Sequence, residues 1–104
     1  MTDITVNSTI CGFVHEMQGK LNGKEVTIDI DTPCEKVKCI SHLEVPMMEV
    51  FDIKDNYVMD KAKKAKICST CLVPCAALHA CKIESEFISK SLVEKSGPLS
   101  IEFK

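Results

Sequence analysis

The sequence contains no arginine, so all 13 of its basic side chains are lysines. It also has no tryptophan, a single tyrosine and a formal net charge of -2. Guanidinium groups and stacked aromatic rings carry much of the recognition of phosphates and bases, so this composition argues against a nucleic-acid-binding protein. No apolar run approaches the roughly 18 residues of a membrane-spanning helix, and the first residues do not resemble a secretory signal. We therefore expect a cytoplasmic protein without a membrane partner.

The length and the composition predict one folded domain over residues 1–104. Hydrophobic residues make up 45% of the chain and charged residues 27%, a balance typical of globular proteins. Internal repeats, low-complexity tracts and Pro/Gly-rich linkers are lacking. A core of this size is modest, so a bound metal ion or cluster would add appreciably to its stability.

Two segments of alternating apolar and polar residues, joined by Asn22-Gly23, predict a β-hairpin. Asn-Gly is typical of a two-residue type I′ turn, which sets a register in which Met17 faces Ile28. The same register, extended to the open end of the hairpin, predicts that Cys11 lies opposite Cys34.

The rest of the chain predicts helices followed by a last strand. Thr32, Pro33 and Glu35 form a capping-box pattern, and the helix that it opens should end near Glu44 or Val45. Further helices are predicted over about 56–66 and 73–93, whereas residues 47–53 fit either a short strand or a helical turn. Strict alternation over residues 99–104 predicts a final strand. The predicted fold is α+β: a small antiparallel sheet, made of the N-terminal hairpin and the C-terminal strand, with two or three helices on one face.

The seven cysteines are the most informative feature of the composition. Their odd number and the expected reducing compartment favour metal binding or redox chemistry over disulfides. Three of them fall within the eight residues Cys68-Ser69-Thr70-Cys71-Leu72-Val73-Pro74-Cys75. One tight C-x2-C turn aims two sulfurs at a single point, as in many zinc and iron–sulfur half-sites. Cys34 and Cys75 are both predicted in the first turn of a helix, which stabilises a thiolate.

A zinc ion or a single cluster usually takes four protein ligands, so some of the cysteines must have other roles. Cys81 falls on an apolar helical stripe, which predicts a small buried hydrophobe, and Cys39 projects from a flank as a bystander. Cys68 remains open between a ligand, a resolving thiol and a loop residue.

Two histidines bear on the same region. His15 faces the predicted core, which indicates a core histidine hydrogen-bonded to the backbone. His79 follows Cys75 by four residues and shares its helix face, so it is a reserve ligand or a hydrogen-bond donor to the site, although a plain surface position is the simpler interpretation.

Several short motifs resemble a small uncharacterised prokaryotic family that is best represented in anaerobes. They are Ile10-Cys11-Gly12-Phe13, Thr32-Pro33-Cys34-Glu35, Cys71-Leu72-Val73-Pro74-Cys75 and the closing segment. The resemblance covers most of the chain and implies that Cys11, Cys34, Cys71 and Cys75 are the recurring set. It implies no function.

The order of the motifs is also similar to that of the U-type iron–sulfur assembly scaffolds. Those proteins carry a Cys-Gly at a strand, a second Cys at a helix start and a third before a long helix. Cys11, Cys34 and Cys71 match this order. The chain has Phe13 where the scaffolds have an aspartate and Thr70 where they have a histidine. Those missing groups assist cluster exchange.

The leading hypothesis is a domain that binds a metal ion or an iron–sulfur cluster and acts as a carrier or accessory protein, not as an autonomous enzyme. The ligands would be Cys11, Cys34, Cys71 and Cys75, with Cys68 and His79 in reserve. Ligands gathered from three distant segments favour a cluster, although a structural zinc ion needs no more than the same four thiolates.

Two other functions fit the sequence. The first is a thiol redox protein that uses Cys68 and Cys71. The second is a protein-interaction module that docks an acidic partner on the lysine-rich run 61–66 and holds a structural zinc ion. A protein partner is expected under the leading hypothesis and under the second alternative.

Overall fold

The computed structural model describes residues 1–104, which form a four-stranded sheet and four helices. Along the chain, these elements are β1 (Thr2–Ser8), β2 (Phe13–Asn22), β3 (Glu25–Asp31), α1 (Glu35–Lys38), β4 (His42–Pro46), α2 (Tyr57–Lys64), α3 (Val73–Glu84) and α4 (Lys90–Ser96). The strands are ordered β1-β2-β3-β4, and each is antiparallel to its neighbour. The predicted α+β class with a small antiparallel sheet is confirmed.

The hydrophobic core lies between one face of the sheet and α3. Alternate residues of β2 and β3, such as Met17 and Ile28, are fully buried, and Val73, Ala77 and Ala80 of α3 meet them. Each large apolar side chain buried in this way contributes about 1.5–3 kcal/mol.

The hairpin forms where the sequence predicts it, but its turn consists of Gly23 and Lys24 instead of Asn22 and Gly23. Asn22 stays in the strand, and Met17 pairs with Ile30, so the predicted register is wrong. Gly23 has a φ of 65° whereas Lys24 has no positive φ. This pattern fits a type II′ turn, which needs a positive φ only at its first central residue. Moving the turn by one residue shifts the pairing by two, which leaves the buried faces unchanged.

The helix predicted after Thr32 is only one turn long. α1 ends at Lys38, and the apolar residues Leu43 and Val45 lie on β4, where they alternate with exposed neighbours. β4 pairs with β3 and so gives the edge of β3 hydrogen-bond partners that a longer helix would not have supplied. The N-cap of α1 is Cys34, two residues later than predicted.

The long helix predicted over residues 73–93 is divided in two. α3 begins at Val73 as predicted, but Glu86 has a φ of 64° and ends the helical path. The chain turns there so that the ring of Phe87 meets that of Phe51 at a centroid distance of 4.9 Å. α4 then begins with its own cap, since the N–H of Leu92 donates to Ser89 Oγ.

The predicted C-terminal strand is absent, and residues 97–104 are exposed and without regular structure. The edge beside β2 is occupied by β1, which the sequence did not single out. β1 and β2 are joined by a short turn, so their pairing costs far less loop-closure entropy than the return of the distant C-terminal segment.

α3 packs closely against β2 at Gly19. A Cβ atom there would lie 3.1 Å from Ala80 Cβ and 3.2 Å from Ile28 Cδ1. We expect Gly19→Ala to lower the free energy of unfolding by about 1–3 kcal/mol, because α3 must move away from β2. Urea unfolding measures the change, and Lys20→Ala, on the exposed face of the same strand, should stay within about 0.5 kcal/mol. Equal stability of the two variants would contradict the close packing.

Candidate functional site

Cys71 lies among cysteines from three separate parts of the chain. Burial raises the pKa of its thiol, and the charges of Cys34, Cys68 and Cys11 raise it further, against the effect of a hydrogen bond from the backbone of Val73. Cys34, Cys68 and Cys11 are thus the cysteines near enough to Cys71 to affect the pKa of its thiol. We refer to Cys11, Cys34, Cys68 and Cys71 as the thiol cluster.

Cys11 belongs to the turn between β1 and β2 and is exposed. The N–H of Gly12 donates to Ser8 O at 2.8 Å, and Gly12 has a φ of 77°, which favours glycine. Cys11 therefore lies outside the β2–β3 ladder, and the predicted strand pair of Cys11 and Cys34 is wrong. The turn nevertheless brings Cys11 within range of Cys71.

Cys34 is held at the open end of the hairpin by two buried polar side chains. Its N–H donates to Thr32 Oγ1 at 3.1 Å, and a second hydrogen bond joins Thr32 Oγ1 to His15 Nδ1 at 2.7 Å. Burial lowers the pKa of His15, which keeps the ring neutral at pH 7. His15 is a core histidine, as predicted, but its partner is a side chain and not the backbone.

The loop between α2 and α3 carries Cys68 and Cys71. The N–H of Cys71 donates to Cys68 O at 3.0 Å, which closes the tight turn expected of a C-x2-C pair. Cys68 is exposed, whereas Cys71 is half-buried and packs against the core. Lys36 Nζ donates to Cys68 Sγ at 3.8 Å and so links α1 to this loop. Nothing in the sequence pattern indicates this long-range contact.

The other predicted ligand, Cys75, lies in the first turn of α3 and is exposed. His79 shares its face, as predicted: the two side chains approach to 3.7 Å between Sγ and Nδ1, and His79 Nδ1 donates to Cys75 O at 2.9 Å. The sequence analysis kept Cys68 only as a reserve ligand. In the structure, Cys68 affects the pKa of Cys71, as Cys34 and Cys11 also do.

The last two cysteines have the surroundings that the sequence predicts. Cys81 is fully buried in the core, and burial raises the pKa of its thiol to about 12. Cys39 is the C-cap residue of α1 and is exposed, with its Sγ donating to Glu35 O at 3.7 Å.

The lysine-rich run begins in the second half of α2, continues past its end at Lys64 and stops two residues before Cys68. Lys61 Nζ lies 5.3 Å from the centre of the Tyr57 ring. None of the lysines in the run forms an ion pair, and Lys63, Lys64 and Lys66 are exposed.

All seven cysteines are free, and no group of three or more His, Cys, Asp or Glu side chains has the arrangement of a metal site. The donor chemistry of the thiol cluster nevertheless suits a soft metal ion, because thiolates select zinc and iron–sulfur centres. A cation would also offset the mutual repulsion of thiolates brought together at one site. Rotation about χ1, between staggered positions, moves each sulfur without moving the backbone.

Comparison with known proteins identifies the family. The chain matches DUF6951, a family of unknown function, over residues 2–96. It belongs to this family. The match runs from β1 to α4 and includes every residue of the thiol cluster, so the DUF6951 domain and the structural domain coincide. No curated protein and no solved structure matches the chain. None of the helices has the length and hydrophobicity needed to cross a membrane.

Proposed function

We propose that this DUF6951 domain binds a metal ion or an iron–sulfur cluster through cysteine thiolates and serves another protein as a carrier or accessory. The proposed ligands are Cys11, Cys34, Cys71 and Cys75, with Cys68 as the competitor of Cys75 for the fourth position. The proposal extends to the choice of an iron–sulfur cluster over zinc, because the ligands come from three distant segments.

The observation that supports the proposal is the convergence of thiols on Cys71 from the β1–β2 turn, from the start of α1 and from the α2–α3 loop. Free cysteine is normally among the most buried residue types. Cys11 and Cys68 are exposed, so filling the core does not explain their position. A cluster of exposed and half-buried thiols fits a ligand set better than it fits packing.

The chain's own residues would hold the group in a defined way. Cys34 extends from the end of the sheet, and Cys71 rests against the core, so both have rigid support. Ligation would connect the β1–β2 turn to both other segments, and metal binding would therefore also stabilise the fold. A bound cluster would transfer electrons or would itself be delivered to a partner protein, whereas a zinc ion would have a structural role.

The test is elemental analysis of protein purified without oxygen and without chelator. We expect iron and acid-labile sulfide in near-stoichiometric amounts, with visible absorption. One zinc ion without sulfide would support the structural version of the site. Protein that contains neither metal, and takes up neither when they are supplied, would contradict the proposal.

A second candidate function, thiol–disulfide exchange, is favoured by the asymmetry of Cys68 and Cys71. Cys68 is exposed with Lys36 Nζ at 3.8 Å, whereas Cys71 is half-buried and burial raises its pKa. This resembles an attacking thiol beside a shielded resolving thiol. The two thiols would form one disulfide and pass two electrons and two protons to a partner disulfide. Redox titration against glutathione tests this by following formation of the disulfide between Cys68 and Cys71. Cys68→Ser and Cys71→Ser should each abolish this disulfide, whereas Cys11→Ser should not.

A further inference from the structure

We infer that Thr32 and His15 are positioning residues for Cys34, and that they direct its sulfur into the thiol cluster. The inference rests on the proposed function in that it treats Cys34 as a ligand. It adds two residues that touch no other cysteine of the cluster by hydrogen bond and that act only through Cys34.

Both side chains are polar groups in an apolar place. His15 is 2% exposed and Thr32 is 7% exposed, beside the core residues Met17 and Ile30. Apolar side chains of similar size would fill the same space without the cost of removing polar groups from water. Packing alone therefore does not explain this buried polar pair. The structure offers another explanation, since the pair forms hydrogen bonds that hold the backbone of Cys34.

The hydroxyl of Thr32 connects Cys34 to the sheet. It accepts a hydrogen bond from the N–H of Cys34 at 3.1 Å and is bonded to His15 Nδ1, on the neighbouring strand β2, at 2.7 Å. α1 has only four residues and gives Cys34 little support of its own. The extended backbone of Cys34, with φ of -82° and ψ of 121°, is thus anchored to β2 through the hydroxyl of Thr32.

Residues that orient a ligand in this way change metal affinity by about 10- to 100-fold when they are replaced. We therefore expect Thr32→Val, which keeps the shape and removes the hydroxyl, to weaken Zn²⁺ binding by about 10-fold or more. Thr32→Ser retains the hydroxyl and should bind within about threefold of the wild type. Thr27→Val makes the same chemical change within β3, whereas Thr32 follows the end of that strand, and it serves as the matched control.

Three measurements on the full chain separate positioning from a merely structural role. Competition with a chromophoric chelator gives the Zn²⁺ affinity, and the intensity of the thiolate-to-metal band of Co²⁺ reports the number of bound sulfurs. The alkylation rate of Cys34 in the metal-free protein, relative to that of Cys75, reports its orientation by peptide mass spectrometry. Thermal unfolding of each metal-free variant shows whether the fold is retained.

The expected result is a weaker Zn²⁺ affinity, a weaker Co²⁺ band and an altered Cys34 alkylation rate in Thr32→Val, with Thr32→Ser and Thr27→Val close to the wild type. His15→Leu should act like Thr32→Val, and His15→Asn, which retains a hydrogen-bonding group, should act less strongly. An unchanged Cys34 rate in Thr32→Val, or a changed rate with unchanged metal affinity, overturns the inference. A wild-type protein that binds neither metal overturns the proposed function instead, and the alkylation rates then decide the positioning alone.

Discussion

Cys71→Ser is expected to lower the bound metal or cluster by about tenfold or more relative to the wild type. Cys71 is the half-buried member of the thiol cluster, and the charges of three other cysteines act on it. A hydroxyl at this position is a poor ligand for a soft metal, and the remaining thiolates would be left with an incomplete coordination shell. Metal and sulfide analysis of the anaerobically purified variant measures the loss.

Matched variants make this result specific. Cys39→Ser changes an exposed cysteine outside the cluster and should retain the wild-type metal content. Cys11→Ser and Cys34→Ser should lose metal to the same degree as Cys71→Ser. Equal metal content in Cys71→Ser and Cys39→Ser would exclude the proposed site.

The fourth ligand is decided by one comparison. If Cys75 is the ligand, Cys75→Ser should lose metal while Cys68→Ser retains it. The opposite result would assign the position to Cys68, whose charge acts on Cys71. Retention of metal by both single variants and its loss in the double variant would mean that the two cysteines can replace each other.

Glu84→Gln is expected to destabilise the protein by about 2–4 kcal/mol at pH 7. Glu84 is buried at the end of α3, where Thr2 Oγ1 donates to Oε2 and the N–H of Leu21 donates to Oε1 at 3.1 Å. The amino group of Met1 and Lys90 Nζ lie 3.7 and 3.9 Å from Oε2. This carboxylate thus joins β1, β2, α3 and α4, and an amide cannot accept all of these contacts.

The effect of Glu84→Gln should depend on pH in a defined direction. Burial by itself would raise the pKa of Glu84, but the hydrogen bonds from Thr2 and Leu21 and the two positive charges outweigh it and lower the pKa. A group whose pKa is lower in the folded state stabilises the fold above its unfolded pKa of about 4.3, and that contribution is lost as the pH falls through the folded pKa.

Urea unfolding at pH 7 and at successively lower pH tests both statements. The difference in unfolding free energy between the wild type and Glu84→Gln should be largest near pH 7 and shrink below about pH 4. Glu94→Gln, at an exposed position on α4, should have little effect at either pH. A pH-independent difference would show that the charge of Glu84 does not contribute.

The residues that local patterns place correctly are those whose surroundings are local. α2 begins directly after Asn56 and α3 begins at Val73, close to the starts that the sequence predicts. The cap of α2, in which Asn56 Oδ1 accepts from the N–H of Met59 at 2.8 Å, is itself a local contact. The burial of Val26 and Ile28 follows from strand alternation alone. The tight turn of Cys68 and Cys71 is another short-range feature, and its spacing was sufficient to predict it.

The errors fall where two interpretations fitted the local sequence almost equally well and contacts with a distant segment decided between them. The segment with Leu43 and Val45 fits a helical stripe as well as a strand, and the free edge of β3 selects the strand. The closing segment alternates as a strand should, yet β1 already occupies the edge beside β2. The turn at Gly23 shifted by one residue because only one position there needed a positive φ.

The candidate site divides in the same way. The sequence by itself determined the α+β class and the sulfur donors of a cysteine-rich domain. Both follow from composition and local periodicity, which need no knowledge of long-range contacts. The tertiary structure decided the finer features of the site. These are the identity of the thiols near Cys71, the contact of Lys36 with Cys68, and the support of Cys34 by Thr32 and His15. Apart from the local Thr32–Cys34 bond and the Cys68–Cys71 turn, these contacts join residues far apart in the chain or depend on the register of two strands. Such contacts form only when the sheet and α3 bury their apolar faces together, and no local pattern encodes them.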